Sequence, residues 1–223
     1  MVFPQIGGRA MYVRDIMTTN VVTIPSSTSI ADARRIMEAH HIRRLPVVDR
    51  GKLVGIVTDH RLESVSPSKA TSLSVWELSY ILDKTTVKEI MERNVVTVSP
   101  DMTVEESLAF AQDHKVGALV VVEDGRVVGI ATTNDFFYKI VNPVLGLGQP
   151  GARIEVIGGG ETKALAEIIS TVDRLGLEIT TLHIEELPGA AKKDVCVHIK
   201  GEDTSQLIAE LKSKGYKAGL RKR

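Results

Sequence analysis

Thr132 and Asp135 stand three residues apart directly after the apolar run Val127–Ala131, and Thr58 and Arg61 hold the same places after Leu53–Val57. A hydroxyl at the point where a buried strand gives way to a helix, followed by backbone N–H groups at the helix's positive end, is suited to hold a phosphate. One turn further on, the Asp135 carboxylate can accept two hydrogen bonds from vicinal ribose hydroxyls. A purely structural reading competes, with Thr132 a helix N-cap and Asp135 a first-turn charge. Arg61 carries donors and no acceptor, so it cannot take over the carboxylate's task. The half-site around Thr58 is therefore expected to be vacant or to take a different anion, with Asp59 a helix-start carboxylate. One strong site is expected rather than two.

These residues sit in an internal repeat. A shift of 74 residues lays Val13–Leu62 on Val87–Phe136 without a gap: VRDIMTTNVVTI meets VKEIMERNVVTV, RLPVVDRGKLVGIVT meets ALVVVEDGRVVGIAT, and His40 falls on His114. Each copy reads as a β-rich run (Asn20–Ile24; Asn94–Val98), a turn with Pro25 or Pro100, an amphipathic segment (Ile30–His40; Val104–His114) and an apolar hairpin. The hairpins join Leu45–Val48 to Leu53–Val57 around Arg50–Gly51, and Leu119–Val122 to Val127–Ala131 around Asp124–Gly125. A second helix is expected after Thr58 and Thr132. Runs such as ALVVV and VVGIA require strands buried on both faces, which a unit of about 50 residues cannot supply alone, so the copies should pack face to face. Between them, Ser66–Thr85 reads as a linker that becomes a helix, with Ser74 and Glu77 at capping-box spacing and Trp76 a packing anchor.

The elements IM, NVVT, HIRRLPVVD and GKLVGIVTDHRL, with IM, NVVTV and GRVVGIATTNDF in the second copy, resemble a pair of cystathionine-β-synthase (CBS) motifs, the tandem arrangement called a Bateman module. The likeness covers Tyr12 to about Val141, and the signature Gly-hydrophobic-x-Thr-x-x-Asp is intact in Gly129–Asp135. It implies an adenine-nucleotide or adenosyl-ligand cleft between the two sheets, taking AMP, ADP, ATP or S-adenosylmethionine as a regulatory ligand, with no required cofactor. On that basis Thr132, Asn134 and Asp135 would hold ribose and phosphate. Asn94–Thr97 (with Val95, Val96 and Thr97) and Val116–Leu119 (with Val116 and Ala118) would line an apolar slot for the adenine. The basic stretch His40-His41-Ile42-Arg43-Arg44 would bring Arg43 and Arg44 to phosphate oxygens, although a solvated helix end explains it equally well. His40, His41 and His60 lack the Cys or carboxylate spacing of a metal site.

After the Gly/Pro-rich stretch Pro143–Gly151, read as a linker, the pattern changes. Arg153–Gly158 reads as a strand, Glu161–Leu175 as a helix, Leu177–Ile184 and Val195–Lys200 as strands, Asp203–Lys214 as a helix and Tyr216–Leu220 as a closing strand. This βαββαβ order resembles an ACT domain, a ferredoxin-like module that usually binds amino acids or other small effectors between paired copies. Gly158, Gly159 and Gly160 before Glu161 could let backbone N–H groups meet an effector carboxylate at the helix start, or form only a flexible turn. Gly158-x-Gly160 is not a dinucleotide fingerprint, because Lys163 stands at the third glycine position. Cys196 alternates with Val195 and Val197 and reads as structural. His183 and His198 show no pattern that makes them its partners.

The expected organisation is an α/β (α+β) chain: first CBS motif 12–65, connector helix 66–85, second CBS motif 86–141, linker 142–151 and ACT-like domain 152–223, with residues 1–10 outside the fold. Two CBS motifs followed by an ACT-like module resemble the acetoin-utilisation AcuB-type proteins, a family of small stand-alone bacterial regulators, and the connector SPSKATSLSVWEL adds to that likeness. The resemblance implies a non-catalytic regulator in which an adenine nucleotide or adenosyl ligand bridges the repeats and the change passes to the ACT-like domain or a partner. The alternatives are a protein-interaction module with degenerate sites, or an amino-acid-type effector sensor acting through the ACT-like domain. A homodimer is expected by analogy with both families. Lys+Arg 28 against Asp+Glu 28 leaves no net charge, which argues against the broad positive field that captures nucleic acid, and Arg221-Lys222-Arg223 reads as a solubilising tail. No apolar run approaches the ~20 residues of a membrane span. No nucleophile–base pair, metal constellation or P-loop points to an enzyme. The single Cys196, with no signal-peptide stretch, sets a cytoplasmic expectation.

Overall fold

The computed structural model describes residues 10–65 and 75–221 and divides into two compact units, Met1–Asp135 and Phe136–Arg223. The first copy comprises α1 (Val13–Ile16), α2 (Ile30–Ala39), β1 (Arg44–Asp49), β2 (Lys52–Thr58) and α3 (Asp59–Ser64). The connector supplies α4 (Val75–Lys84), whose Leu82 packs on the first core; Ser74 and the Trp76 side chain lie outside the described residues. In the second copy a 3₁₀ turn (Val87–Glu89) leads to β3 (Thr97–Val98), α5 (Val104–Asp113), β4 (Ala118–Glu123), β5 (Arg126–Thr132) and α6 (Thr133–Phe136). Side-chain caps set the long helices: Ser29 Oγ accepts the Asp32 N–H at 3.1 Å, and Thr103 Oγ1 accepts that of Glu106 at 3.3 Å. Both hairpins turn through two left-handed residues, Arg50–Gly51 (φ +52° and +77°) and Asp124–Gly125 (φ +48° and +76°), the backbone a type I′ turn demands. Leu119, Val120 and Val121 of β4 are fully buried, as a strand covered on both faces must be.

The run Asn20–Ile24, expected as a strand, makes only the isolated parallel bridge Ile24↔Val47, and Asn94–Val98 shortens to β3, parallel to β4. The reason lies upstream, because the residues before each run are bonded to the other copy. Thr18 exchanges both backbone hydrogen bonds with Ile130 of β5 (2.9 and 3.0 Å), and Glu92 does the same with Ile56 of β2 (2.9 Å each). The helix starts repeat the pattern: Val13 donates to Met102 and Val104 to Met11, while Val87 donates to Thr28 and Ile30 to Thr85. Each pair maps onto its counterpart by the 74-residue shift.

Side chains follow the backbone. Val87 and Met91 are buried in one core with Ile24, Ile30, Leu45 and Val57 of the first copy. Met91 lies on Gly55, where an added Cβ would come 2.6 Å from its sulfur, and Met17 lies on Gly129 so closely that a Cβ there would overlap it. These glycines admit a methionine from the opposite copy, and β2 touches β5, so the copies do pack on one another as the apolar runs require.

In the second unit the helical path continues through a π turn (Phe137–Val141) and α7 (Asn142–Val144). Then come β6 (Ala152–Ile157), α8 (Thr162–Arg174), β7 (Ile179–Glu185), β8 (Asp194–Ile199), α9 (Ser205–Ser213) and β9 (Lys217–Leu220). The sheet is antiparallel in the order β7-β8-β6-β9, the split βαββαβ arrangement. Ile168, Val172, Leu207 and Leu211 of the helices bury Ile154, Val156, Val195, Val197 and Ile199 of the sheet. Within residues 142–151, read from the sequence as a linker, α7 touches β7. Gly146 (φ +66°) lies against the His198 ring and Gly151 (φ +121°) against the Ile199 carbonyl, so closely that neither has room for a Cβ.

The Gly129–Met17 contact predicts that Gly129→Ala costs about 1–3 kcal/mol. The loss should shrink when Met17→Ala makes room, which a double-mutant cycle in urea unfolding would read.

Candidate functional site

Strand β5 delivers Thr132 to the first residue of α6, and both Thr132 and Asp135 are half-buried there. Asp135 Oδ2 accepts the Thr132 N–H at 2.9 Å and the Thr132 hydroxyl at 2.7 Å, the reach-back half of a capping box. Its other oxygen, Oδ1, accepts the hydroxyl of Thr18 at the long distance of 3.4 Å. The Thr132 hydroxyl therefore points at the carboxylate, and Asn134 is exposed beside it. The helix expected after Thr132 is a single α turn before the π turn, so it offers a weaker dipole than a long helix would.

Positive charge arrives from the first copy. Arg44 opens β1, and its guanidinium lies against Gly117, where an added Cβ would sit 2.9 Å from Nη2 and 3.4 Å from the Thr133 hydroxyl. Thr133 is fixed there by N–H and hydroxyl bonds to the Gly117 carbonyl, 3.2 and 3.1 Å. Arg43 takes the opposite side of the strand entry, 83% exposed, with its Nε 3.7 Å from Asp59. Of the two adjacent arginines, Arg44 reaches Gly117 of the second copy, beside Thr133, and Arg43 stays with Asp59 of the first. Val95, Val96, Val116 and Ala118 are half-buried and Thr97 is exposed; Val96 and Val120 are bonded through their backbones, so β3 and β4 run side by side there.

The first copy repeats the geometry with different charges. Thr58 Oγ1 caps α3 by accepting the Arg61 N–H at 3.2 Å, and Asp59 donates its N–H to Arg43, as Thr133 does to Gly117. Where Asp135 faces Thr18, Arg61 faces Glu92, with Nη2 to Oε2 3.3 Å. Thr18 and Glu92, which face Asp135 and Arg61, are the neighbours that sequence reasoning missed. The repeat aligns them with one another, but each touches the copy it does not belong to.

On the C-terminal sheet all three glycine amides are committed: Gly158 donates to Asp194 (2.7 Å), Gly159 to Val156 (3.1 Å) and Gly160 to Lys193 (2.9 Å). A Cβ on Gly159 would strike Val195 and Ile168, so this turn is glycine-rich for packing, and Glu161 is exposed at the start of α8. Cys196 is buried, and burial pushes its thiol pKa up, against thiolate chemistry. Arg221 donates to Glu185 at 2.6 Å and holds that carboxyl below the ordinary glutamate range, while His183 lies 3.1 Å from the same oxygen. Among the described residues no group of His, Cys, Asp or Glu is arranged to hold a metal ion, and His40, His41 and His60 are all exposed. No helix among the described residues is long and apolar enough to cross a membrane.

Two copies of a hairpin-and-helix unit, each completed by the other's leading segment, define a paired-repeat α/β module. Residues 13–66 and 87–142 match the CBS domain, and the chain belongs to the CBS-domain family. It is 34% identical to a proposed acetoin utilization protein (AcuB) from Vibrio cholerae, with a TM-score of 0.50 over 60% of this chain and 92% of that one. It is 32% identical to the CBS domain pair of protein MJ0100, solved in complex with 5′-methylthioadenosine and S-adenosyl-L-methionine, with a TM-score of 0.49 over 60% of this chain and 98% of that one. The inosine-5′-monophosphate dehydrogenase of Korarchaeum cryptofilum (strain OPF8) is 31% identical over 180 residues, 78% of this chain and 34% of that enzyme. The chain thus spans about a third of that relative's length.

The Arg221–Glu185 pair predicts a pH signature. A carboxyl lowered in the folded state contributes stability that is present above its unfolded value and is lost as pH falls through the folded one. Arg221→Gln should cost about 1 kcal/mol at neutral pH for this partly exposed pair, and the deficit should fade as pH drops through the carboxylate range. Thermal melts across that range check it.

Proposed function

We propose that the chain is a non-catalytic sensor that binds one adenine nucleotide or adenosyl ligand at the second copy. The observation that carries this reading is the grouping of Thr132, Asp135, Thr18 and the cross-copy Arg44 at one strand end. Vicinal ribose hydroxyls would displace the long Thr18 contact at Asp135 Oδ1. The Arg44 guanidinium would meet phosphate or another electron-rich group, and Val95, Val96, Val116 and Ala118 would flank the base. Asp135 at once caps Thr132 and accepts from ligand, so both readings of the residue hold together.

A bound ligand would favour one arrangement of the copies and pass it along the helical residues 133–144 to the C-terminal domain or to a partner. The βαββαβ order supports reading that domain as ACT-like, though with its glycine amides already paired an effector site at Gly158–Glu161 is disfavoured. The sensor would act as a homodimer in the cytoplasm, where the free Cys196 suits a reducing setting. A module that only binds proteins, or one that senses an amino-acid-type effector through the C-terminal domain, is the second reading.

Calorimetric titration with AMP, ADP, ATP and S-adenosylmethionine tests this. One of the four should bind at a single site per chain, and Asp135→Ala should weaken it at least about tenfold, the loss of a charge-assisted bond pair. No binding of any of them would overturn the proposal and leave the second reading.

A further inference from the structure

We propose that residues 142–151 form a releasable cover over the polar face of the C-terminal sheet, and that lifting it presents the His198 imidazole to solvent. This stands independently of the Asp135 reading. The sheet has two unlike faces. Ile154, Val156, Val195, Val197 and Ile199 turn toward α8 and α9 in the apolar core. The alternate residues lie on the other face, with Thr181 opposite His198 and His183 opposite Cys196 on the neighbouring strands. A face of such groups would ordinarily be wet, yet His198 is only 1% exposed. The backbone of Gly146 and Gly151 is what lies on it. A Cβ on Gly146 would overlap His198 Nδ1, and one on Gly151 would sit 3.0 Å from Nε2. Glycine at both positions permits this close approach.

The cover is lightly held. Val144 and Leu147, the apolar side chains that could anchor it, are exposed. The amides of Leu145, Gly146 and Leu147 bond to the carbonyls of Val141, Pro143 and Asn142, so these bonds stay within the segment's own turns and survive its lifting. The closed state also carries a cost. Thr181 Oγ1 and His183 Nδ1, both on β7, which α7 touches, are buried with no hydrogen-bond partner among the described residues. Polar atoms left unpaired disfavour the state that buries them, and lifting the cover admits water to this edge of the face. Few apolar anchors and unpaired polar groups are the features of a segment that opens well before the domain unfolds.

Modification of the full chain by diethyl pyrocarbonate, mapped by mass spectrometry, tests this. His40, His41 and His60 are exposed and serve as internal references. The ratio of the His198 rate to theirs reads the open fraction. It should exceed the globally unfolded fraction, taken from urea melts, at least about tenfold. Gly146→Ala, which drives a methyl into His198, should raise the ratio at least about tenfold further. Gly148→Ala is the control, because Gly148 is also left-handed at φ +77° but its Cβ would meet nothing within 4 Å. It brings the backbone strain without the collision and should fall well short of the Gly146→Ala effect. A His198 rate in wild type no greater than global unfolding allows would overturn the proposal, whether or not either variant folds. Folded Gly146→Ala and Gly148→Ala proteins that behave alike would also overturn it.

Discussion

Backbone hydrogen bonds between each hairpin and the segment leading into the opposite copy hold the first unit together. Thr18 completes the edge at Ile130, and Glu92 completes it at Ile56. A two-stranded hairpin alone is marginal in water and exposes an edge of unpaired amides. Here each edge is covered by its sister's leader, and the same leader delivers Met17 or Met91 onto a glycine in the strand it covers. The cores cannot be separated without stripping a leader from each, because Val87 and Met91 are buried among first-copy residues.

The site inherits this exchange. Asp135 belongs to the second copy, but the hydroxyl facing its outer oxygen is that of Thr18, and the guanidinium beside Gly117, near Thr133, is that of Arg44, both from the first copy. A ligand seated there would touch both copies at once, the condition under which binding can bias their arrangement. The two copies differ at these positions: Arg61 faces Glu92 where Asp135 faces Thr18, and Arg44 stands at the repeat position of Ala118.

What could be read from the sequence was what is local or periodic. The hairpins around Arg50–Gly51 and Asp124–Gly125 follow from turn chemistry, the amphipathic helices from spacing behind Ser29 and Thr103, and the βαββαβ order from alternating patterns in residues 152–220. What escaped depends on distant partners. Asn20–Ile24 has strand composition, but the residues before it are bonded to the other copy's hairpin and little ladder is left. Residues 142–151 have linker composition, yet two of their glycines, Gly146 and Gly151, let the backbone lie on His198 and the Ile199 carbonyl. Gly158–Gly160 has the composition of an anion cradle, yet its amides are used internally. Thr18 meets Asp135 across a sequence separation of 117 residues, and no local pattern marks such a pair.

Native-state hydrogen exchange at the amides of Thr18, Ile56, Glu92 and Ile130 tests the reciprocal construction most directly. Each of these amides donates across the two copies. If the leaders make one cooperative body of the pair, all four open with a common free energy, equal to that of the β1–β2 and β4–β5 ladders. Opening of Ile56 and Glu92 at a distinctly lower free energy than Thr18 and Ile130, or the reverse, would show that one copy unfolds without the other and would contradict it.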